Sequence, residues 1–124
     1  MPLIIDTHAL IWIGAGSAKF ISAAREAVQN PLEQLLVSAV TAWEYVDLAH
    51  RGRTPEAAPF EILGEKLHFE ILDLPAAVWQ VCRQLPHIHR DSIDRMLIAH
   101  DIIGDFTLVT ADRDMRAYPV RTLW

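Results

Sequence analysis

Leu3-Ile4-Ile5-Asp6-Thr7-His8 decides how this chain is read. Three apolar residues in a row read as a buried strand, and an acid follows at once. In an open α/β sheet the carboxyl ends of the strands are where ligands sit. A carboxylate there is costly unless it is paired or bound to a metal. Asp6 therefore needs a partner. Three later stretches offer one: Trp43-Glu44, Asp91-Ser92-Ile93-Asp94-Arg95 and Thr110-Ala111-Asp112.

Further strands are expected at Leu35-Leu36-Val37, Phe69-Glu70-Ile71-Leu72, Thr107-Leu108-Val109-Thr110 and Val120-Arg121-Thr122-Leu123. Between them the sequence predicts helices. Ala9 to Ile13 reads as a short helix or turn, broken by Gly14-Ala15-Gly16. Ser17 is expected to cap a helix to about Gln29 that puts Phe20, Ala24 and Val28 on one face. Ser38 caps another, ending near Arg51-Gly52-Arg53. Pro55 to His68, a stretch opened by Pro75, and Asp91 to about Ile103 complete the set, with Gly104 as the last stop. Strands alternating with helices predict a parallel sheet covered on both faces. The four tryptophans, Trp12, Trp43, Trp79 and Trp124, read as core.

A length of 124 residues suits one domain, and 52% hydrophobic residues argue against disorder. The net charge of -5 argues against non-specific binding to nucleic acid. Acids gathered round a divalent cation would reverse that argument locally. Cys82 is the single cysteine, so neither an internal disulfide nor a thiolate cluster is available. A reducing, cytoplasmic setting is expected, since the chain enters its first strand with no room for a signal peptide. The longest apolar run, Leu35 to Trp43, falls short of the roughly 20 residues that span a bilayer, so no membrane partner is expected.

The acids are informative through their placement. Asp6 follows the first strand and Asp112 the fourth. Asp94 lies in the first turn of the helix before the fourth strand, and Glu44 in the second turn of the helix after the second. In a parallel sheet all four fall near one edge. Carboxylates crowded together repel unless a cation joins them. An oxygen-only set favours Mg²⁺ or Mn²⁺. Each acid also has a plainer reading. Asp6 can cap the next helix, Glu44 can sit exposed or pair with Arg51 or Arg53, and Asp112 can bond its own turn. Asp91 and Asp94 have the spacing of a capping box, and Asp91 is read mainly as a cap. His87 and His89 lack a third ligand for zinc. His8 and His100 read as surface or packed residues, and Asp114 as solvated.

Four segments, in order, resemble the PIN domain and more closely its VapC-type ribonuclease toxins. Ile5-Asp6-Thr7-His8-Ala9-Leu10-Ile11-Trp12 is similar to the family's opening. Ser38 to Glu44 resembles its second segment, His89 to Ala99 its third, and Leu108-Val109-Thr110-Ala111-Asp112 its last. The resemblance implies a three-layer α/β fold with a five-stranded, mainly parallel sheet flanked by helices. It implies a Mg²⁺- or Mn²⁺-dependent endoribonuclease acting on RNA, a homodimer, and a cognate antitoxin protein. By matching position, Asp6, Glu44, Asp94 and Asp112 become catalytic metal ligands. Asp91, Thr7 and Thr110 become auxiliary, and Arg95 matches the basic residue after the third acid; Arg95, with Arg90 or Arg113 as secondary candidates, is expected to contact substrate phosphates. Ser92-Ile93 replaces the family's Pro-Phe, and Asp47 adds an acid one turn from Glu44. Two other readings compete. One is phosphoryl transfer through an aspartyl phosphate on Asp6, which wants a late lysine, and none follows Lys66. The other is a PIN-like module that binds protein without catalysis.

Overall fold

A computed structural model describes residues 2–124, apart from the side chain of residue 22. The chain runs β1 (Leu3–Ile5), α1 (Thr7–Gly14), α2 (Ser22–Gln29), β2 (Leu35–Ser38), α3 (Ala39–His50), α4 (Phe60–Leu67), β3 (Glu70–Leu72), α5 (Val78–Cys82), α6 (Ser92–Gly104), β4 (Thr107–Val109) and β5 (Arg121–Leu123). The strands form one sheet in the order β3-β2-β1-β4-β5, and every pairing is parallel. The expected "mainly parallel" sheet is therefore parallel throughout.

Alternation along the strands divides the core in two. Leu3, Ile5, Leu35, Val37 and Val109 face a cluster with Ala9, Leu10, Phe20, Ala24, Val28 and Tyr45. Ile4, Leu36 and Leu108 face the other side, with Leu97, Ile98, Met115 and Tyr118. Both faces of β1 are covered, which is why its residues form an unbroken apolar run. No described helix is long and apolar enough to cross a membrane.

Several helices start later than the sequence predicts. Ser17 accepts from the Lys19 N–H in a local turn, and α2 begins only after Ile21. Residues 55–58 precede α4, which opens after Pro59; a proline inside that helix would remove a backbone bond and crowd the preceding turn. Pro75 likewise begins a turn ahead of α5, accepting from the Val78 N–H at 3.0 Å. At the end of α6 the left-handed residue is Asp105, with φ 54°, after Gly104. Gly104 is needed for space, because a Cβ there would lie 2.1 Å from the Phe106 ring. Two tryptophans overturn the core expectation: Trp43 and Trp79 are 57% and 60% exposed. Trp12 and Trp124 are half-buried and pack edge to face at 5.4 Å.

Candidate active site

The chain builds outward from β1 to β2 and β3, then crosses to β4 on the other side of β1. This is a topological switch point, where open α/β sheets hold ligands at the strand carboxyl ends. Ile5 pairs with Val109, so the residues leaving β1 and β4 emerge together. Asp6 is 3% exposed. One of its oxygens accepts from the Ala9 N–H at 2.7 Å, capping α1. The other accepts from the Thr110 hydroxyl, whose oxygen also accepts from the Asp112 N–H at 3.0 Å. The plainer capping reading of Asp6 and its placement at the site therefore hold together. Burial holds the Asp6 carboxyl above its ordinary range, against the pull of the Thr110 and Ala9 hydrogen bonds.

Asp94 and Glu44 approach from α6 and α3, which pack against each other. Asp91 caps α6, accepting from Ile93 N at 2.8 Å and Asp94 N at 3.2 Å. This places Asp94 in the first turn, 6% exposed. Its carboxyl is pushed up to about 7, first by burial and then by the charge of Asp91, with further contributions from Glu44 and Asp6. Those charges place acids from the ends of β1, α3 and α6 in one electrostatic neighbourhood, and Asp112 acts in turn on Asp6. Glu44 makes no ion pair with Arg51, which pairs with Asp47 at 3.1 Å instead. Its Oε1 is buried without a hydrogen-bond partner, as is the Thr7 hydroxyl.

The residue that sequence reasoning missed is His89. Its Nε2 lies 3.0 Å from Asp94 Oδ2 and 3.0 Å from Asp112 Oδ2, while its Nδ1 accepts from the Asp91 N–H at 3.0 Å. Burial disfavours charge on the ring, but the Asp112 hydrogen bond and the charges of Asp94, Asp112 and Asp91 outweigh it and raise its pKa. The Asp91 N–H on Nδ1 opposes that charging and favours the neutral ring with its proton on Nε2. The connector carrying His89 is tied to the core through Tyr118, whose hydroxyl accepts from Ile88 N at 3.2 Å and His89 N at 2.9 Å. The signal in the sequence was the spacing of His89 to its helix cap Asp91, which gives no hint of Asp112, 23 residues on.

Asp112 bonds its own turn, as its plainer reading held: Oδ1 accepts from Asp114 N at 2.8 Å and Met115 N at 3.1 Å. Burial works against its charge, but the hydrogen bonds from His89, Met115 and Asp114 prevail and hold its carboxyl below the ordinary range. Arg95 does not stand free for a phosphate. Its guanidinium donates to the Cys82 carbonyl at 2.9 Å, the Pro86 carbonyl at 2.9 Å and the Tyr118 hydroxyl at 3.1 Å. Its helical position turns it toward the end of α5 and the connector beyond, where it adds a second donor to carbonyls that already accept from Leu85 N and Ile88 N. Arg90 and Arg113 are exposed. A cavity of about 230 Å³ opens beside Asp6 and Asp112, lined also by His8, Trp12 and Ala111.

The donor set fits a hard divalent cation: carboxylates predominate, one carboxylate oxygen is buried without a partner, and burial followed by the charge of Asp91 pushes the Asp94 carboxyl up. Among the described residues, the group of three ligating side chains whose atoms fall within 4.8 Å of one another is His89, Asp112 and Asp114. No three of the expected four acids come that close, and His89 stands between two of them.

The PIN domain family model matches residues 3–120. Ribonuclease VapC22 of Mycobacterium tuberculosis is 28% identical over 129 residues, covering 98% of each chain. Among solved structures, VapBC2 from Rickettsia felis bound to a DNA fragment from their promoter superposes with a TM-score of 0.72 at 15% identity, covering 98% of this chain and 97% of that one. DNA-bound VapBC from Salmonella typhimurium gives 0.71 at 17% identity, with 98% and 96% covered. Both share the three-layer α/β fold.

Proposed function

The chain belongs to the PIN domain family, and from that premise we propose that it is a metal-dependent endoribonuclease, the toxin of a toxin–antitoxin pair. What supports the reading is that Asp6, Asp94 and Glu44 feel one another's charge beside the switch point of the sheet, with Asp112 next to Asp6 and Glu44 Oε1 buried and unpartnered. Its resemblance in sequence to a named ribonuclease supports the same activity.

Asp6, Glu44, Asp94 and Asp112 would hold Mg²⁺ or Mn²⁺. When bound, such an ion supplies positive charge at the phosphate and lowers the pKa of water. The chain's own residues do the positioning. Thr110 fixes Asp6 and the backbone of Asp112 with one hydroxyl. Asp91 holds the first turn of α6 and so the height of Asp94. The cavity beside Asp6 and Asp112 receives the strand, and exposed Arg90 and Arg113 meet its phosphates. The aspartyl-phosphate reading is disfavoured, since it wants a late lysine and none follows Lys66.

A cognate antitoxin is the proposed protein partner, and a homodimer the proposed assembly. Exposed Trp43 and Val46 on α3 and Trp79 on α5 support such contacts. The test is cleavage of pooled cellular RNA by the purified chain, with Mg²⁺, Mn²⁺ or chelator, beside Asp6→Asn and Asp94→Asn. The expectation is metal-dependent cuts bearing 5′-phosphates, absent in both variants. Full activity in both folded variants refutes the assignment.

A further inference from the structure

Resting on the reading of the acids as a cation site, we propose that His89 is a built-in plug: its Nε2–H donates to Asp112, with Asp94 Oδ2 at the same distance, in the place a divalent cation takes, and the cation must displace it. Nδ1 accepts from the Asp91 N–H at 3.0 Å, so the ring proton sits on Nε2. That nitrogen is a donor and, in this orientation, no ligand. It lies 3.0 Å from Oδ2 of both Asp94 and Asp112. Asp112 Oδ1 is already engaged by two backbone N–H groups. The oxygen left for a cation is therefore Oδ2, the one His89 holds.

The plug is built in rather than incidental. Its backbone N–H donates to the hydroxyl of Tyr118, a residue 3% exposed. The same hydroxyl accepts from Ile88 N and from Arg95 on α6. The imidazole is thus delivered to the two acids by a fixed connector. It separates and satisfies carboxylates that would otherwise repel. A cation entering the site gains those oxygens only by breaking a hydrogen bond to charged groups. The chain therefore binds divalent ions more weakly than its carboxylates alone would.

The test is Mn²⁺ titration of the full chain without RNA, reading free Mn²⁺ by electron paramagnetic resonance, for wild type and His89→Ala. Removing the plug should tighten Mn²⁺ binding by about tenfold to a hundredfold, the worth of one hydrogen bond to a charged group. Equal or weaker binding in the variant overturns the plug while leaving the cation site standing. Binding in neither protein removes the cation site and the plug with it. A second arm uses wild type alone, so it holds even if the variant fails to fold. Long-range ¹H–¹⁵N spectra should show Nε2 of His89 protonated without metal and changed at Mg²⁺ saturation fixed by calorimetry. An unchanged His89 signal at saturation overturns the proposal.

Discussion

Asp101→Asn should stabilise the protein at neutral and alkaline pH. Asp101 lies in α6 at 2% exposure, and its Oδ1 has no hydrogen-bond partner. Burial pushes its carboxyl from an ordinary 3.8 up to about 7, with Arg121 pulling it down and Asp105 pushing it up. A raised carboxyl binds a proton in the folded state that the unfolded chain has already released. Stability therefore falls as pH rises from about 4 to about 7, and the full cost is present above that window. At about 1.36 kcal/mol per pH unit the interval sets an upper limit of about 4 kcal/mol. Relaxation around a buried charge reduces such limits, and about 2 kcal/mol is expected. Asparagine keeps the shape and cannot ionise. Urea unfolding of both proteins, followed by circular dichroism at pH 4, 6 and 8, gives the difference directly. The variant should gain on wild type as pH rises. A difference that does not change with pH, or a variant less stable at pH 8, refutes the reasoning.

Other outcomes follow from the same geometry. Mn²⁺ binding should strengthen between pH 6 and 8 as Asp94, held near 7, gives up its proton, and Asp94→Asn should flatten that dependence in calorimetric titrations. Tyr118→Phe removes the acceptor shared by Ile88, His89 and Arg95. It should cost about 1–3 kcal/mol and speed hydrogen exchange at the Ile88 and His89 amides. Gly104→Ala sets a methyl against the Phe106 ring, and thermal melting should show a loss of about 1–3 kcal/mol despite the gain in helix propensity.

What could be read from the sequence was whatever local pattern controls. The apolar triplet before Asp6 marked β1, the acids after strands marked the carboxyl edge, and Ser38 announced the start of α3. Legibility ended where a side chain's fate depends on distant chain. His89 looked like half of an improbable zinc pair, because its partner Asp112 arrives from beyond β4. Arg95 looked like a free cation beside an acid, because nothing local reveals that the Cys82 and Pro86 carbonyls lie within its reach. Trp43 and Trp79 looked like core, because hydrophobicity does not say which helix face has a neighbour. The late start of α4 was legible in hindsight, since Pro59 cannot sit inside the helix that the apolar spacing suggested.

The central strand is completed by segments that lie far along the chain from it. Asp6 is seated by Thr110, 104 residues later, and the Thr110 N–H is in turn held by the Leu123 carbonyl at 3.1 Å on β5. Contacts so distant in the chain form late. Without the segment from Thr107 to Asp112, Asp6 has neither its hydroxyl donor nor the neighbouring strand. The centre is therefore complete only when β4 and β5 are both in place, and whatever loosens β5 reaches Asp6 through Thr110.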